Sequence, residues 1–103
     1  MKIIFFDNSV KKFIRSLEKP TTTKVLRMID LLERYGLNLQ MPHSRRLEKN
    51  LFELRIRGQQ EVRIFYTFRD GAVLIHGFIK KTQKTPKEEL ETAHKKLNRI
   101  YTK

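Results

Sequence analysis

Three lysines within five residues, Lys80, Lys81 and Lys84, lie in the stretch Gly77-Phe78-Ile79-Lys80-Lys81-Thr82-Gln83-Lys84-Thr85-Pro86, where an apolar run meets ammonium groups and then a helix start. Regular structure on both sides would hold these charges as a fixed cationic edge, which suits a phosphodiester ligand. Upstream, Arg55, Arg57, Arg63 and His76 occupy alternate positions in runs whose other positions are apolar, and Phe65 and Phe78 share their side. Cations so arranged can stabilise the charge that develops on a phosphorane-like transition state, with His76, Tyr66 or a lysine carrying protons. Aromatic rings among them would give single-stranded bases a surface to stack on. The competing reading for Phe65 and Phe78 is burial beneath the last helix.

Other chemistries are poorly supplied. With no cysteine, the chain has neither disulfides nor thiolate zinc ligands nor a cysteine nucleophile. His43, His76 and His94 follow no metal-ligand spacing, and no cofactor is expected. Ser9, Ser16 and Ser44 lack a nucleophile-elbow context, and no glycine-rich phosphate loop occurs. Glu88 and Glu91 read as carboxylates complementing a helix N-terminus.

The elements that must position the basic residues can be read from periodicity. Lys2 to Phe6 is a short strand ended by Asp7-Asn8. Asn8 or Ser9 then caps a helix carrying Val10, Phe13, Ile14 and Leu17 on one face, and Pro20 closes it. Thr21 to Thr23 offer caps to a second helix, with Val25, Met28, Ile29 and Leu32 inward and Gly36 at its end. Leu37 to Asn50 lacks periodicity and reads as a basic loop holding Arg45, Arg46 and Lys49. Leu51–Arg57, Glu61–Arg69 and Ala72–Lys80 alternate as strands, and the links Gly58-Gln59-Gln60 and Asp70-Gly71 make them an antiparallel meander. In the third strand, Val73, Ile75, Gly77 and Ile79 are expected on the apolar face and Leu74, His76, Phe78 and Lys80 on the other. Thr85-Pro86-Lys87-Glu88 reads as a capping box opening a helix through Leu90, Ala93, Leu97 and Ile100. The expected fold is α+β, a single domain over residues 1–103. An N-terminal strand and helix hairpin would pack on one face of a curved antiparallel sheet, a C-terminal helix would follow, and a cationic face would lie opposite the hairpin.

Charge concentrates where that face should be. Residues 43–84 hold ten Lys and Arg against four Asp and Glu, the largest share of a formal net charge of +12. Such a field draws polyanions. Glu53 is the one acid expected among the basic residues, so their mutual repulsion would be relieved by a bound anion. No apolar run reaches the length of a membrane span, and the N-terminus lacks a signal-peptide pattern, so a cytoplasmic protein without a membrane partner is expected.

The order of these elements, with Leu51-Phe52-Glu53-Leu54-Arg55, then Val62-Arg63-Ile64-Phe65-Tyr66, then His76 through Pro86, resembles the phage-derived HigB-like branch of the RelE/ParE toxin superfamily over nearly the whole chain. The resemblance implies the toxin of a type II toxin–antitoxin pair. Its activity would be metal-independent, ribosome-dependent cleavage of mRNA in the A site, by attack of the 2′-hydroxyl on the adjacent phosphate. Its partners would be a helix-turn-helix (HigA-like) antitoxin, the 70S ribosome and mRNA. Arg63 then matches the strand arginine that holds the scissile phosphate. Arg55 sits on the preceding strand where basic residues are common, Lys80 and Lys81 end the last strand where another catalytic cation is found, and His76 is the candidate base. Arg57, Lys84, Arg45, Arg46, Lys49, Gln83, Phe65 and Phe78 would contact RNA. Tyr101 has no matching motif around it. A gyrase-inhibiting ParE-like toxin and an RNA-binding module without turnover remain alternatives on the same fold.

Overall fold

Residues 1–102 are described by a computed structural model. Their elements run β1 (Ile3–Phe5), α1 (Asn8–Arg15), α2 (Lys19–Tyr35), a 3-10 turn (Gly36–Asn38), β2 (Ser44–Glu48), β3 (Leu51–Ile56), β4 (Val62–Phe68), β5 (Ala72–Ile79) and α3 (Lys87–Tyr101). This is an α+β arrangement around one five-stranded sheet of order β1-β5-β4-β3-β2.

The three-stranded meander forms as its alternation demands, with Arg55 opposite Arg63 and Leu54 opposite Ile64. Two features depart from a purely antiparallel sheet preceded by a loop. β1 pairs parallel to β5, making the sheet mixed. Within the expected basic loop, Ser44–Glu48 forms an edge strand on β3, with an irregularity between Arg46 and Glu48. Its mostly charged sequence conceals the strand, because an edge strand that buries only Ser44 and part of Leu47 needs no apolar alternation, and charge there deters further pairing.

The helix starts also differ from expectation. Asp7, in extended conformation, is the cap of α1 and accepts a hydrogen bond from the Ser9 amide at 3.1 Å. Pro20 does not close α1. It occupies the first turn of α2, where its missing N–H costs nothing, after the extended residue Glu18. The threonines expected as caps lie inside that helix. Thr21 is buried, and the Thr22 hydroxyl donates to the Ile14 carbonyl at 3.1 Å, tying α2 to α1. At α3 the capping box does not form: Pro86 is the cap, and its carbonyl accepts from the Glu89 and Leu90 amides. With the cap moved one residue on, the residue three along is Glu89, which has no proline amide to reach back to and pairs with His76 instead. Gly36, with φ 51°, ends α2 as expected.

Two cores sandwich the sheet. Val10, Ile14, Leu17, Val25, Ile29 and Leu32 of the helix hairpin meet Leu54, Ile56, Val62, Ile64, Tyr66 and Leu74 on one side. α3 covers part of the opposite side, enclosing Leu51, Phe65, Ile75, Phe78 and Ala93. The second face is therefore core where α3 lies and charged beyond it.

A bulge decides which side chains belong to each half. The register steps from Phe65 opposite His76 to Tyr66 opposite Leu74, so Ile75 is an extra residue. Alternation inverts across it. Ala72 and Leu74 join the hairpin core, and Ile75 lies under α3, the reverse of the simple pattern. Beyond the bulge the expected faces hold. Gly77 lies so close to Phe13 that a Cβ there would sit 2.6 Å from the ring.

Candidate functional site

The centre of the uncovered half is a row of charges on β3 and β4. Arg55 and Arg63 face each other across the two strands, and Glu53 lies one row along. Its Oε1 is 3.8 Å from the Nε of each arginine. Glu53 is 5% exposed and Arg63 only 2%, so the three groups form a desolvated cluster rather than a solvated rim. Arg63 Nη1 donates to Glu61 Oε2 and to the Val62 carbonyl, both at 3.1 Å. Among the described residues neither Nε has a hydrogen-bond partner. Arg55 reaches only Met41 Sδ, at 3.4 Å, through Nη1. Buried guanidinium donors without acceptors are costly, and an added oxyanion would satisfy them.

His76 sits on the diagonal from Arg63, opposite Phe65. Its Nε2 is 2.6 Å from Glu89 Oε1 of α3, and its ring lies beside Phe65 and Phe78, with centroids 6.4 and 6.2 Å away. A carboxylate fixing an imidazole is the arrangement that orients a general base. Phe65 and Phe78, however, are 0% and 4% exposed beneath α3. They present no face to a base, which corrects their expected stacking role. Their outward alternation was read rightly, but α3 fills the space. Tyr66 is withdrawn too. It lies in the hairpin core, shares a hydrogen bond with Ser44, and is raised above its ordinary value of 10.0 by burial, partly offset by that bond.

The lysine edge begins where β5 leaves the sheet. The Lys80 amide donates to the Glu61 carbonyl at 2.7 Å, and its Nζ donates to the Gln83 carbonyl at 2.8 Å. Thr82 Oγ1 donates to the Lys84 carbonyl at 2.8 Å. These bonds shape the connection to α3 and leave Lys81, Gln83 and Lys84 exposed. The ends of β3, β4 and β5 thus gather Arg55, Arg57, Arg63, Lys80 and Lys81 at one end of the sheet. Exposed Arg57 is balanced there by Glu61 at 3.7 Å.

Not every expected RNA contact joins them. Arg45 pairs with Glu53 in the sheet and lies beside the row, exposed. Arg46 pairs with Phe52, stands over that ring, and donates to the Glu48 and Lys49 carbonyls. Lys49 lies in the β2–β3 turn, at the other end of β3 from Arg55. Arg46 and Lys49 are therefore separated from the cluster, because the segment folds into a strand rather than looping over the site. Tyr101 is also remote, bonding Thr67 Oγ1 and donating to the Phe68 carbonyl.

Sequence reasoning missed the residues on the hairpin side of this end. A recess of about 240 Å³ is lined by Lys24, Arg27 and Met28 of α2, Pro42 and His43 before β2, and Arg55, Ile56 and Arg57 of β3. Lys24 Nζ donates to the Arg57 carbonyl at 3.2 Å. Lys24 and Arg27 are spaced i, i+3 and share a helix face, the one signal that could have paired them. Among the described residues no cluster of three or more His, Asp or Glu could hold a metal ion, and no helix is long and apolar enough to cross a membrane.

The protein-family model described as "Phage derived protein Gp49-like (DUF891)" matches residues 12–98, which include the whole charged row and the lysine edge. No curated protein matches the chain.

Proposed function

The chain belongs to the Gp49-like family of phage-derived proteins, a RelE/toxin-type family, and from that premise we propose that it is a HigB-like toxin of a type II toxin–antitoxin pair. Its activity, in this reading, is ribosome-dependent, metal-independent cleavage of mRNA in the A site. The observation that carries the proposal is the desolvated pair Arg55 and Arg63, each with an unpartnered Nε, at the same end of the sheet as exposed Lys81.

The mechanism follows from those groups. A scissile phosphate entering the row would take the donors that Arg55 and Arg63 leave unused and would compete with Glu53 for their charge. As the 2′-hydroxyl attacks, negative charge grows on the nonbridging oxygens, and fixed cations in a water-poor site stabilise that state more than the ground state. His76, oriented by Glu89, accepts the proton of the attacking hydroxyl. Lys80 or Lys81 protonates the 5′-leaving oxygen. The products are a 2′,3′-cyclic end and a 5′-hydroxyl. A helix-turn-helix antitoxin of HigA type would neutralise the protein.

Purified 70S ribosomes programmed with mRNA and kept in the Mg2+ that joins their subunits, incubated with protein first freed of bound metal by dialysis against EDTA, test this reading. A-site cleavage with 2′,3′-cyclic ends is the expected result, and His76→Gln should flatten the pH dependence of the single-turnover rate. Intact mRNA under all conditions would overturn the nuclease reading. RNA binding without cleavage would favour the non-catalytic alternative, and gyrase inhibition with intact mRNA the ParE-like one.

A further inference from the structure

The recess between α2 and the end of β3 has no part in the cleavage mechanism, although Arg55 lines both it and the charged row. Four cations, Lys24, Arg27, Arg55 and Arg57, converge on it with His43, and among the described residues no carboxylate lines it. The nearest acids pair from outside: Glu53 with Arg55 at 3.8 Å and Glu61 with Arg57 at 3.7 Å. Lys24 is not simply waving in solvent. Its chain lies over Gly58, where a Cβ would come within 2.6 Å of Nζ, and its ammonium is held by the Arg57 carbonyl. The Arg55 side chain is 15% exposed, and its buried Nε has no acceptor. Like charges held together in this way lose stability to repulsion unless an anion joins them.

The rest of the lining is apolar, from Met28, Pro42 and Ile56. A simple phosphate has no use for that surface. A planar, partly apolar base does, and at about 240 Å³ the recess falls below the roughly 300 Å³ at which small-molecule sites begin, room for one base with its sugar and phosphate at the rim. We propose that this recess is a nucleotide subsite that takes one unstacked residue of single-stranded RNA, its base against Pro42, His43 and Met28 and its phosphate on Lys24, Arg27 and Arg57. Resting on the reading of the adjacent row as an RNA-cleaving site, it assigns Arg55 a second part as the bridge between the bound nucleotide and the scissile phosphate. The subsite would set which base lies beside the cut.

The test is an NMR titration of the intact protein, following the His43 ring and the amides of residues 24–28 and 55–57. Three probes are used: inorganic phosphate, each nucleoside 5′-monophosphate, and a trinucleotide made uncleavable by a 2′-deoxy sugar at its central position. The expected result is a perturbation of the recess by every nucleotide, extending to the Arg63 and His76 signals only with the trinucleotide, which should bind at least tenfold more tightly than any mononucleotide, with phosphate weakest. The Lys24→Gln/Arg27→Gln double variant, which relieves the repulsion but gives up the Lys24 bond to the Arg57 carbonyl and whose folding is verified by a thermal melt, should lose at least tenfold in trinucleotide affinity. Phosphate binding as tightly as a nucleotide would overturn the base-binding assignment. Mononucleotides binding more tightly than the trinucleotide would assign the recess to a free nucleotide and overturn its place on RNA. Unchanged trinucleotide affinity in the double variant would overturn the subsite altogether. Because binding is read without turnover, a bound trinucleotide alongside inert ribosomes would sink the nuclease reading while leaving the subsite standing.

Discussion

Replacing Arg63 with alanine should damage this protein in two separable ways. Glu53, 5% exposed, stands 3.8 Å from Arg63 and from Arg55. At an effective dielectric constant near 20, unit charges at that separation interact by roughly 4 kcal/mol, before desolvation is counted against them. Removing one partner leaves the buried carboxylate with half its compensation, while Glu61 keeps Arg57 at 3.7 Å, so Arg63→Ala should lower unfolding stability by about 2–4 kcal/mol. Adding Glu53→Gln removes the stranded charge and should recover at least half of that loss. Activity behaves differently. If Arg63 holds the scissile phosphate, the refolded double variant still lacks transition-state stabilisation on the order of 2–4 kcal/mol, roughly thirty- to a thousandfold in rate. Chemical denaturation of the purified parent, single and double variants gives the first quantity, and ribosomal cleavage with growth arrest on induction gives the second. A double variant that is stable and fully toxic would show that Arg63 is a structural cation only. A Glu53→Gln substitution that recovers no stability would refute the charge cluster as the origin of the damage.

Gly77→Ala should destabilise the fold by about 1–3 kcal/mol, because the new methyl would meet the Phe13 ring at 2.6–2.7 Å. Phe13→Leu in the same chain should restore part of the loss in a thermal melt. The Asp7 carboxyl is pushed up by burial, but hydrogen bonds from Ser9 and Lys96 and the Lys96 charge outweigh this and hold it below its ordinary 3.8. A depressed carboxylate stabilises the fold above its unfolded value and loses that contribution as pH falls through the folded one. The gap between the parent and Lys96→Met should thus be widest near neutrality and narrow below about pH 4, and a gap independent of pH would refute the coupling. The Lys80→Gln/Lys81→Gln/Lys84→Gln variant should weaken RNA binding and reduce its salt slope by about one for each phosphate that a lysine no longer neutralises. An unchanged slope would make the lysine edge an ordinary solvated surface.

Much of the scaffold is legible in the sequence because local rules decide it. Alternation in Leu51–Ile56 and Val62–Phe68 sets which side chains leave the sheet together, and the 3.6-residue spacing of Val10, Ile14, Val25, Ile29 and Leu32 sets the buried stripe of the hairpin. The same alternation brings Arg55 and Arg63 to one face, while the position of Lys80 and Lys81 after β5 sets them at the end of the sheet. These are properties of a residue and its near neighbours.

What the tertiary structure alone decided depends on partners distant in the chain. The extra residue at Ile75 is defined only by the register with β4, and it exchanges the faces of the strand before it. The edge strand Ser44–Glu48 exists because β3 offers it hydrogen bonds, not because its own sequence alternates. α3 turns Phe65 and Phe78 from candidate stacking surfaces into core, since exposure is set by what packs on top and not by the direction a side chain leaves the strand. The recess gathers Lys24, Arg27, His43 and Arg55 from three elements, so no spacing along the chain announces it. Composition and periodicity determine a residue's chemistry and side; its depth, its partners and its availability to a ligand come from the whole fold.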